Sequence, residues 1–389
     1  MENFIAHNPT SLHFGKGVIE TIGKTVKPLG SKVLLVYGKG SVKRSGLYDR
    51  IVAQLNQAGA TIYEYDGIQP NPLVADVDKA AAIGRENNVD YILAVGGGSV
   101  IDSAKAISIG IPYSGDVWEF FERKANASSA VPVGIVLTIP GSGSESSVVS
   151  VITNEESLIK RGYHSQVMLP KFAILNPELS FTLPPYQAAS GAADIMAHTM
   201  ERYFTQIKKT DLTDRLCESN LITVIENTPL VLRNPQDYDS QAEIMWASSI
   251  AHNGLLGTGR IEDWSSHKLA HELSSYYGVT HGAALAIIFP AWMKYVYKQN
   301  IERFVQFAVR VFGVDACFES HEKVALEGIR RLESFYKEIG LPITLKELDI
   351  GSEKFDEMAT KCVAFGSIGN FMKLNKDDVI NIYKLSCPA

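Results

Sequence analysis

The sequence predicts an α/β domain built on a parallel sheet, followed by an all-helical domain. Three observations lead there. Glycine and proline are uneven: residues 1–185 hold 19 Gly and 11 Pro, against 12 and 5 in residues 186–389. The first part therefore turns often. Short apolar, β-branched runs at 32–37 (KVLLVY), 90–95 (DYILAV) and 133–139 (VGIVLTI) alternate there with helix-like stretches at 47–58 and 74–86. Continuous apolar strands separated by helices indicate a sheet covered on both faces. Beyond the Leu183-Pro184-Pro185 break, the 3.6-residue period takes over at 186–204, 210–228, 240–254, 263–277, 283–298 and 301–312. The domains are expected at 1–185 and 186–389.

Bulk properties narrow the function classes. The chain has 389 residues, 46% hydrophobic and 21% charged, which is ordinary usage for a folded protein of two domains. A formal net charge of −6 weighs against a nucleic-acid partner, whose binding needs a clustered basic surface. Cys217, Cys317, Cys362 and Cys387 include no C-x-x-C pair and read as reduced thiols. The opening MENFIAHNPT has neither a basic n-region nor an apolar h-region. The longest apolar run, 283–293, is too short for a bilayer and contains Pro290. A cytoplasmic protein is expected. The charge clusters at 319–323 and 353–357 read as solvated helix faces.

Two turns carry the first chemistry. Gly96-Gly97-Gly98-Ser99 follows a strand and opens a helix. Glycines let a backbone approach a ligand closely, and a helix N-terminus offers unpaired N–H groups to a phosphate. Ser99 would cap the helix, with Asp102 three residues on. Pro140-Gly141-Ser142-Gly143-Ser144-Glu145 repeats the pattern of strand, small residues and possible helix start. Two such turns at neighbouring strand ends suit a diphosphate cofactor on a Rossmann-like sheet. A third turn, 38–44, holds Lys39, Ser41, Lys43 and Arg44, with no acid before Asp49. An acid there would bond a ribose 2′-hydroxyl; a basic turn suits a 2′-phosphate.

The second half gathers histidine. Five of the nine His lie between His198 and His281. Asp194 and His198 are four apart on a helix, as are His267 and His271, so each pair shares a face. Asp263 would cap the second helix, and His281 would follow in a short loop. A carboxylate with imidazoles from several helices is a pattern for divalent Zn or Fe. The spacing leaves either His267 or His271 as the ligand.

These residues resemble a known family. The opening Phe14-Gly15-Lys16-Gly17, the Pro70-Asn71-Pro72 turn, AVGGGSVID at 94–102 and LTIPGSGSES at 137–146 carry the likeness in the first half. LNPELSFTLPP at 175–185, GAADIMAHTME at 191–201 and WSSHKLAHELSSYYGVTHG at 264–282 carry it in the second. The chain is similar to iron-containing, or group III, alcohol dehydrogenases, in the branch of NADPH-dependent aldehyde reductases and butanol dehydrogenases. The resemblance implies that Asp194, His198, His267 and His281 hold one divalent metal, Fe or Zn. His271 would lie beside the nicotinamide and relay a proton. Gly97, Gly98 and Ser99 would bind the pyrophosphate, with Asp102 nearby. Thr138 and Ser142 would meet the adenosine side, Lys160 the nicotinamide end, and Gly38, Gly40 and Ser41 the 2′-phosphate. Asn71 and Leu179 complete the expected cofactor-binding set.

The expected activity is interconversion of primary alcohols and aldehydes by hydride transfer with NADP (or NAD), in a homodimer that binds neither nucleic acid nor membrane. A metal- and NAD-dependent lyase or cyclase, on a scaffold like dehydroquinate synthase, is the alternative. It would need several cations near the metal to grip an anionic substrate, and the ligand segments offer Arg202, Arg260 and Lys268.

Overall fold

The computed structural model describes residues 1–317 and 320–388; Glu319, at the head of one charge cluster, lies outside the described residues. The chain forms two compact units: Asn8–Thr182, and the chain from Leu183 onward together with Met1–His7. The first seven residues thus pack with the helices and not with the sheet, and the Glu2 N–H donates to the Gly259 carbonyl at 2.9 Å.

The sheet unit contains β1 (Ser11–Phe14), α1 (Ile22–Val26), β2 (Lys32–Gly38), α2 (Ser41–Arg44), α3 (Leu47–Gln57), β3 (Thr61–Ile68), α4 (Val74–Asn87), β4 (Tyr91–Gly96) and α5 (Gly98–Gly110). α6 (Trp118–Phe121), β5 (Val133–Leu137), β6 (Val149–Asn154), β7 (Ile159–His164) and β8 (Phe172–Leu175) complete it. Six strands form one sheet in the order β1-β8-β5-β4-β2-β3, and every pairing is parallel. β4, β5 and β8 are buried at every residue, as strands covered on both faces must be. The chain runs outward from β2 to β3, then crosses back to lay β4 and β5 on the other side. The reversal falls between β2 and β4, where Tyr37 pairs with Val95. Parallel sheets bind ligands beyond the carboxyl ends of strands at such a reversal. Gly38 and Gly96-Gly97-Gly98 occupy those ends.

The strands at 32–37, 90–95 and 133–139 appear as expected, while five others were not anticipated. β3 is an edge strand whose TIYEYDGI sequence is mostly half-buried or exposed, so it lacks an apolar run. β1 and β8 are four residues each. β6 and β7 pair antiparallel as a separate hairpin.

The helical unit contains α7 (Pro185–Tyr203), α8 (Asp211–Arg233), α9 (Tyr238–His252), α10 (Ser265–Tyr277), α11 (His281–Val296), α12 (Ile301–Phe312), α13 (His321–Glu338), α14 (Phe355–Cys362) and α15 (Lys376–Leu385). α8 runs through Pro229, where the periodic reading stopped at 228, and α11 contains Pro290. Proline in a helix interior costs about 3 kcal/mol. The burial of every residue from Gly282 to Met293 offsets that in α11. His281 is not in a loop: it is the first residue of α11. Among the described residues, no helix is long and apolar enough to cross a membrane.

Candidate active site

The sheet unit builds a cradle around its glycine turns. Gly97 takes the N-cap position of α5 in extended conformation, and the first turn closes with Val100 N–H and Ile101 N–H donating to the Gly97 carbonyl. The N–H groups of the residues that open a helix have no partner within it, which leaves Gly98 and Ser99 facing outward as donors. Glycine is required by packing. A Cβ on Gly97 would come 2.9 Å from the Ile139 Cβ, and one on Gly98 2.5 Å from the Ser142 Oγ. The two predicted turns therefore touch, and side chains at 97 or 98 would fill the cradle. Thr138 N–H donates to the Gly96 carbonyl at 3.0 Å, which places Thr138 at the same edge.

Two readings of this region need correction. Ser99 is not the cap of α5; it lies inside the first turn. Asp102 is not a capping partner either. Its Oδ1 accepts from the Ser144 Oγ at 2.5 Å and its Oδ2 from the Val151 N–H at 3.0 Å. One turn further on, Lys105 is wholly buried and donates to the Ser144 Oγ at 2.8 Å, the Ser147 carbonyl at 2.8 Å and the Val149 carbonyl at 2.9 Å. Burial pushes the Asp102 carboxyl up and the Lys105 ammonium down to about 8. Asp102 and Lys105 thus bolt the glycine turn's helix to the serine turn and to β6. Sequence reading passed over Lys105 because it stands in an apolar run, AKAISI.

Lys160 and Asn71, far apart in sequence, meet: the Lys160 Nζ donates to the Asn71 Oδ1 at 2.8 Å. Asn71 has a φ of 58°, the left-handed region that asparagine tolerates better than most side chains. Leu179 is half-buried against the sheet core.

The basic turn after β2 has an acid beside it in space. Gly40 has a φ of 64°, and Ser41 is exposed at the start of α2. Lys43 Nζ lies 3.9 Å from the Asp66 Oδ2 of neighbouring β3, and 5.2 and 5.0 Å from the ring centres of Tyr37 and Tyr48. Both tyrosine hydroxyls donate to Glu64, each at 2.6 Å. The acids missing from residues 38–44 are supplied by the adjacent strand.

In the helical unit, three helices converge. Asp194 and His198 project from one face of α7, His267 comes from the first turn of α10, and His281 opens α11. One donor atom each from Asp194, His267 and His281 lies within 4.8 Å of the other two. The Asp194 Oδ1 is the focus. It stands 3.9 Å from the His267 Nε2, 3.7 Å from the His281 Nε2 and 3.4 Å from the His198 Nδ1. His198 adjoins the trio, its ring centre 4.6 Å from that of His267. Burial, followed by the charges of His252, His267, Arg202 and His281, holds the His198 imidazole well below its usual pKa, so it is neutral. An imidazole binds a metal in its neutral form. His271 lies outside the trio, half-buried, with its ring centre 5.2 Å from that of His281. The geometry therefore places His267, and not His271, in the cluster.

These residues fit a divalent ion. The His267 Nε2 and His198 Nδ1 are buried with no hydrogen-bond partner among the described residues. Buried polar atoms left so are costly unless something takes their lone pairs. One carboxylate with imidazoles suits iron or zinc better than magnesium or calcium, which prefer all-oxygen sets.

Three further features had weak signals in the sequence. Glu201, buried on α7, bonds both the ring and the backbone of His267. His252 sits with its ring centre 4.3 Å from that of His198. Trp264 lies beside these rings and is partly buried. It takes a φ of 66°, its ring centre is 5.0 Å from that of His267, and the Arg202 guanidinium lies 4.8 Å over its ring.

Comparison with known proteins places the chain in a family. Residues 9–177 match the family described as iron-containing alcohol dehydrogenase, and residues 188–387 its C-terminal family. A protein named probable NADH-dependent butanol dehydrogenase 1, from Bacillus subtilis, is 45% identical over 99% of this chain and 100% of its own length. The NADPH-dependent aldehyde reductase YqhD of Escherichia coli is 36% identical over 94% of each chain. The crystal structure of NADH-dependent butanol dehydrogenase A from Thermotoga maritima superposes with a TM-score of 0.97 at 38% identity, covering 100% of this chain and 99% of its own. Matched along nearly its whole length in both sequence and structure, the chain belongs to the iron-containing alcohol dehydrogenase family.

Proposed function

We propose that this protein reduces small aldehydes to primary alcohols with NADPH, and runs the reverse oxidation, at one divalent iron or zinc ion. The observation that carries this reading is the convergence of Asp194, His267 and His281, from three helices, on one buried point. Asp194, His198, His267 and His281 would hold the ion. When bound, the ion supplies Lewis acidity toward the substrate oxygen and the nicotinamide gives or takes the hydride. Gly97, Gly98 and Ser99 present backbone N–H groups to the pyrophosphate, while Thr138 and Ser142 border the same edge. Lys160, oriented by Asn71, serves the nicotinamide end, with Leu179 and Asp102 shaping the cradle. His271 passes a proton between the substrate oxygen and water through a ring nitrogen. A homodimer in the cytoplasm, acting on small molecules, accompanies this reading. The test is metal analysis of protein purified without added metal, paired with NADPH oxidation by aldehydes of increasing chain length. Metal-free protein that still turns over would sink it.

The lyase or cyclase alternative needs cations available to a substrate, and Arg202 and Arg260 are engaged by the protein itself. Arg202 bonds the His198 carbonyl at 2.8 Å and pairs with Glu262 at 3.2 Å. Arg260 pairs with Asp214 at 2.7 Å and bonds the carbonyls of Arg202 and Thr210.

The proton relay gives a selective prediction. His271→Ala keeps wild-type metal content and loses about 10²-fold in kcat, the usual scale for a general acid or base. Metal loss in this variant would show that His271, and not only His267, is a ligand.

Cofactor choice gives another. Lys39 and Ser41 favour a 2′-phosphate, and charge-assisted bonds contribute about 1.5–3 kcal/mol each. A preference for NADH is the second reading, favoured by the Asp66 carboxylate beside Lys43 and by relatives named NADH-dependent. The ratio of kcat/KM for NADPH over NADH, with one aldehyde at fixed salt, is expected above one. A ratio below one would give the turn to the acids of β3.

A further inference from the structure

We infer that Glu201 is a positioning residue of the metal centre, fixing the tautomer and direction of His267 and thereby setting how tightly the ion is held; this rests on the metal reading proposed above. Glu201 lies seven residues beyond Asp194 and three beyond His198 on α7, so it continues their face of the helix. Its side chain is fully buried. A buried carboxylate is costly unless its lone pairs are taken, and here three N–H groups of one segment take them. Oε1 accepts from the His267 Nδ1 at 2.8 Å and from the His267 backbone N–H at 3.0 Å. Oε2 accepts from the Trp264 N–H at 2.5 Å.

The arrangement does two things at once. Trp264 is the N-cap of α10 but supplies no side-chain cap, and the first N–H groups of a helix have no partner within it. Asp263, expected to cap this helix, accepts from the Ser265 N–H at 3.1 Å; Glu201 reaches across from α7 and takes the Trp264 and His267 N–H groups, at the positive end of the helix dipole. It also receives the Nδ1 proton of His267. Each of its oxygens already accepts a backbone N–H, so the geometry assigns the third proton to Nδ1 and leaves the lone pair on Nε2. Nε2 is the atom that faces Asp194. A carboxylate behind a ligating imidazole holds its ring and raises its basicity, and removal of such partners typically weakens metal binding about 10- to 100-fold. Glu201 is not itself one of the converging donors, because both its oxygens are engaged by α10 and its approach.

The test uses Glu201→Gln in the full-length protein, with Zn(II) as the probe in competition against a chelator of known affinity. The Gln amide can still accept from His267, but it is uncharged, and its NH₂ would oppose the Trp264 N–H. The expected result is a Zn(II) dissociation constant raised about 10- to 100-fold, with the metal-free variant retaining its secondary structure. Equal affinity in the variant and the wild type overturns the role of Glu201 while leaving the metal reading intact. A wild-type protein that binds no Zn(II) or Fe(II) overturns the metal reading itself. A second measurement needs no variant and no metal: long-range nitrogen–proton NMR of histidine-labelled wild type. His267 protonated at Nδ1 supports the assignment, and His267 protonated at Nε2 overturns it even if the Gln variant fails to fold.

Discussion

On the metal reading proposed above, Asp194→Ala is expected to leave the centre without its metal. The Asp194 Oδ1 lies within 3.9 Å of a nitrogen from each of three histidines, and Asp194 is the carboxylate of the converging group. Removing it takes away the charge that balances a divalent ion and the atom on which three helices focus. The imidazoles that remain come from α7, α10 and α11 and have nothing in common to face. Metal content of the purified variant is expected near zero. On the proposed reading the Lewis acid lowers the barrier by several kcal/mol, so turnover is expected to fall about 10³-fold or more. Wild-type metal content in this variant, measured by elemental analysis, would remove Asp194 from the centre.

Gly282→Ala produces the second large effect, and it acts through backbone. Gly282 follows His281 in the first turn of α11. A Cβ there would fall on the Ser190 carbonyl oxygen of α7, 2.6 Å from the carbonyl carbon and 2.9 Å from the Cα. A flexible side chain could step aside; a helix backbone cannot. Overpacking of this kind costs about 1–3 kcal/mol, and here relief comes only if α7 and α11 separate. That movement carries His281 away from Asp194. The expected outcome is a melting temperature lowered by several degrees together with a weaker metal affinity. An unchanged melting temperature and metal content would mean the two helices part at no cost.

Much of this site could be read from the sequence because its signals are local. The glycine turn follows an apolar strand directly, and Asp194 and His198 share a helical face through spacing alone. What escaped reading is what tertiary pairing creates. Which of His267 and His271 joins the cluster depends on how α10 is rotated against α7, and no i,i+4 spacing encodes that. Glu201 looked like a polar residue at the end of a motif, since its partners lie more than sixty residues on. The turn at 38–44 looked free of acids because Glu64 and Asp66 arrive from the adjacent strand, and β3 itself was hidden by the half-polar pattern of an edge. Asp102 looked like a helix cap until Ser144 and Val151 were seen to hold both its oxygens. His281 was assigned to a loop because Gly282 reads as a breaker, whereas its missing side chain is what lets α11 start against α7.

The bolt formed by Asp102 and Lys105 bears on how a nucleotide is received. A run of three glycines would ordinarily be the most mobile stretch in a chain, and ordering it around a phosphate would offset part of the binding energy. Here α5 is anchored one turn beyond the glycines, through buried charge, to the serine turn that forms the opposite wall. If this turn receives the nucleotide as proposed, the seat is shaped beforehand and little conformational entropy remains to be lost on association. Affinity then tracks the contacts made, and dissociation has no loop-melting step to wait for. A cofactor that must leave after every turnover is well served by such a rigid seat.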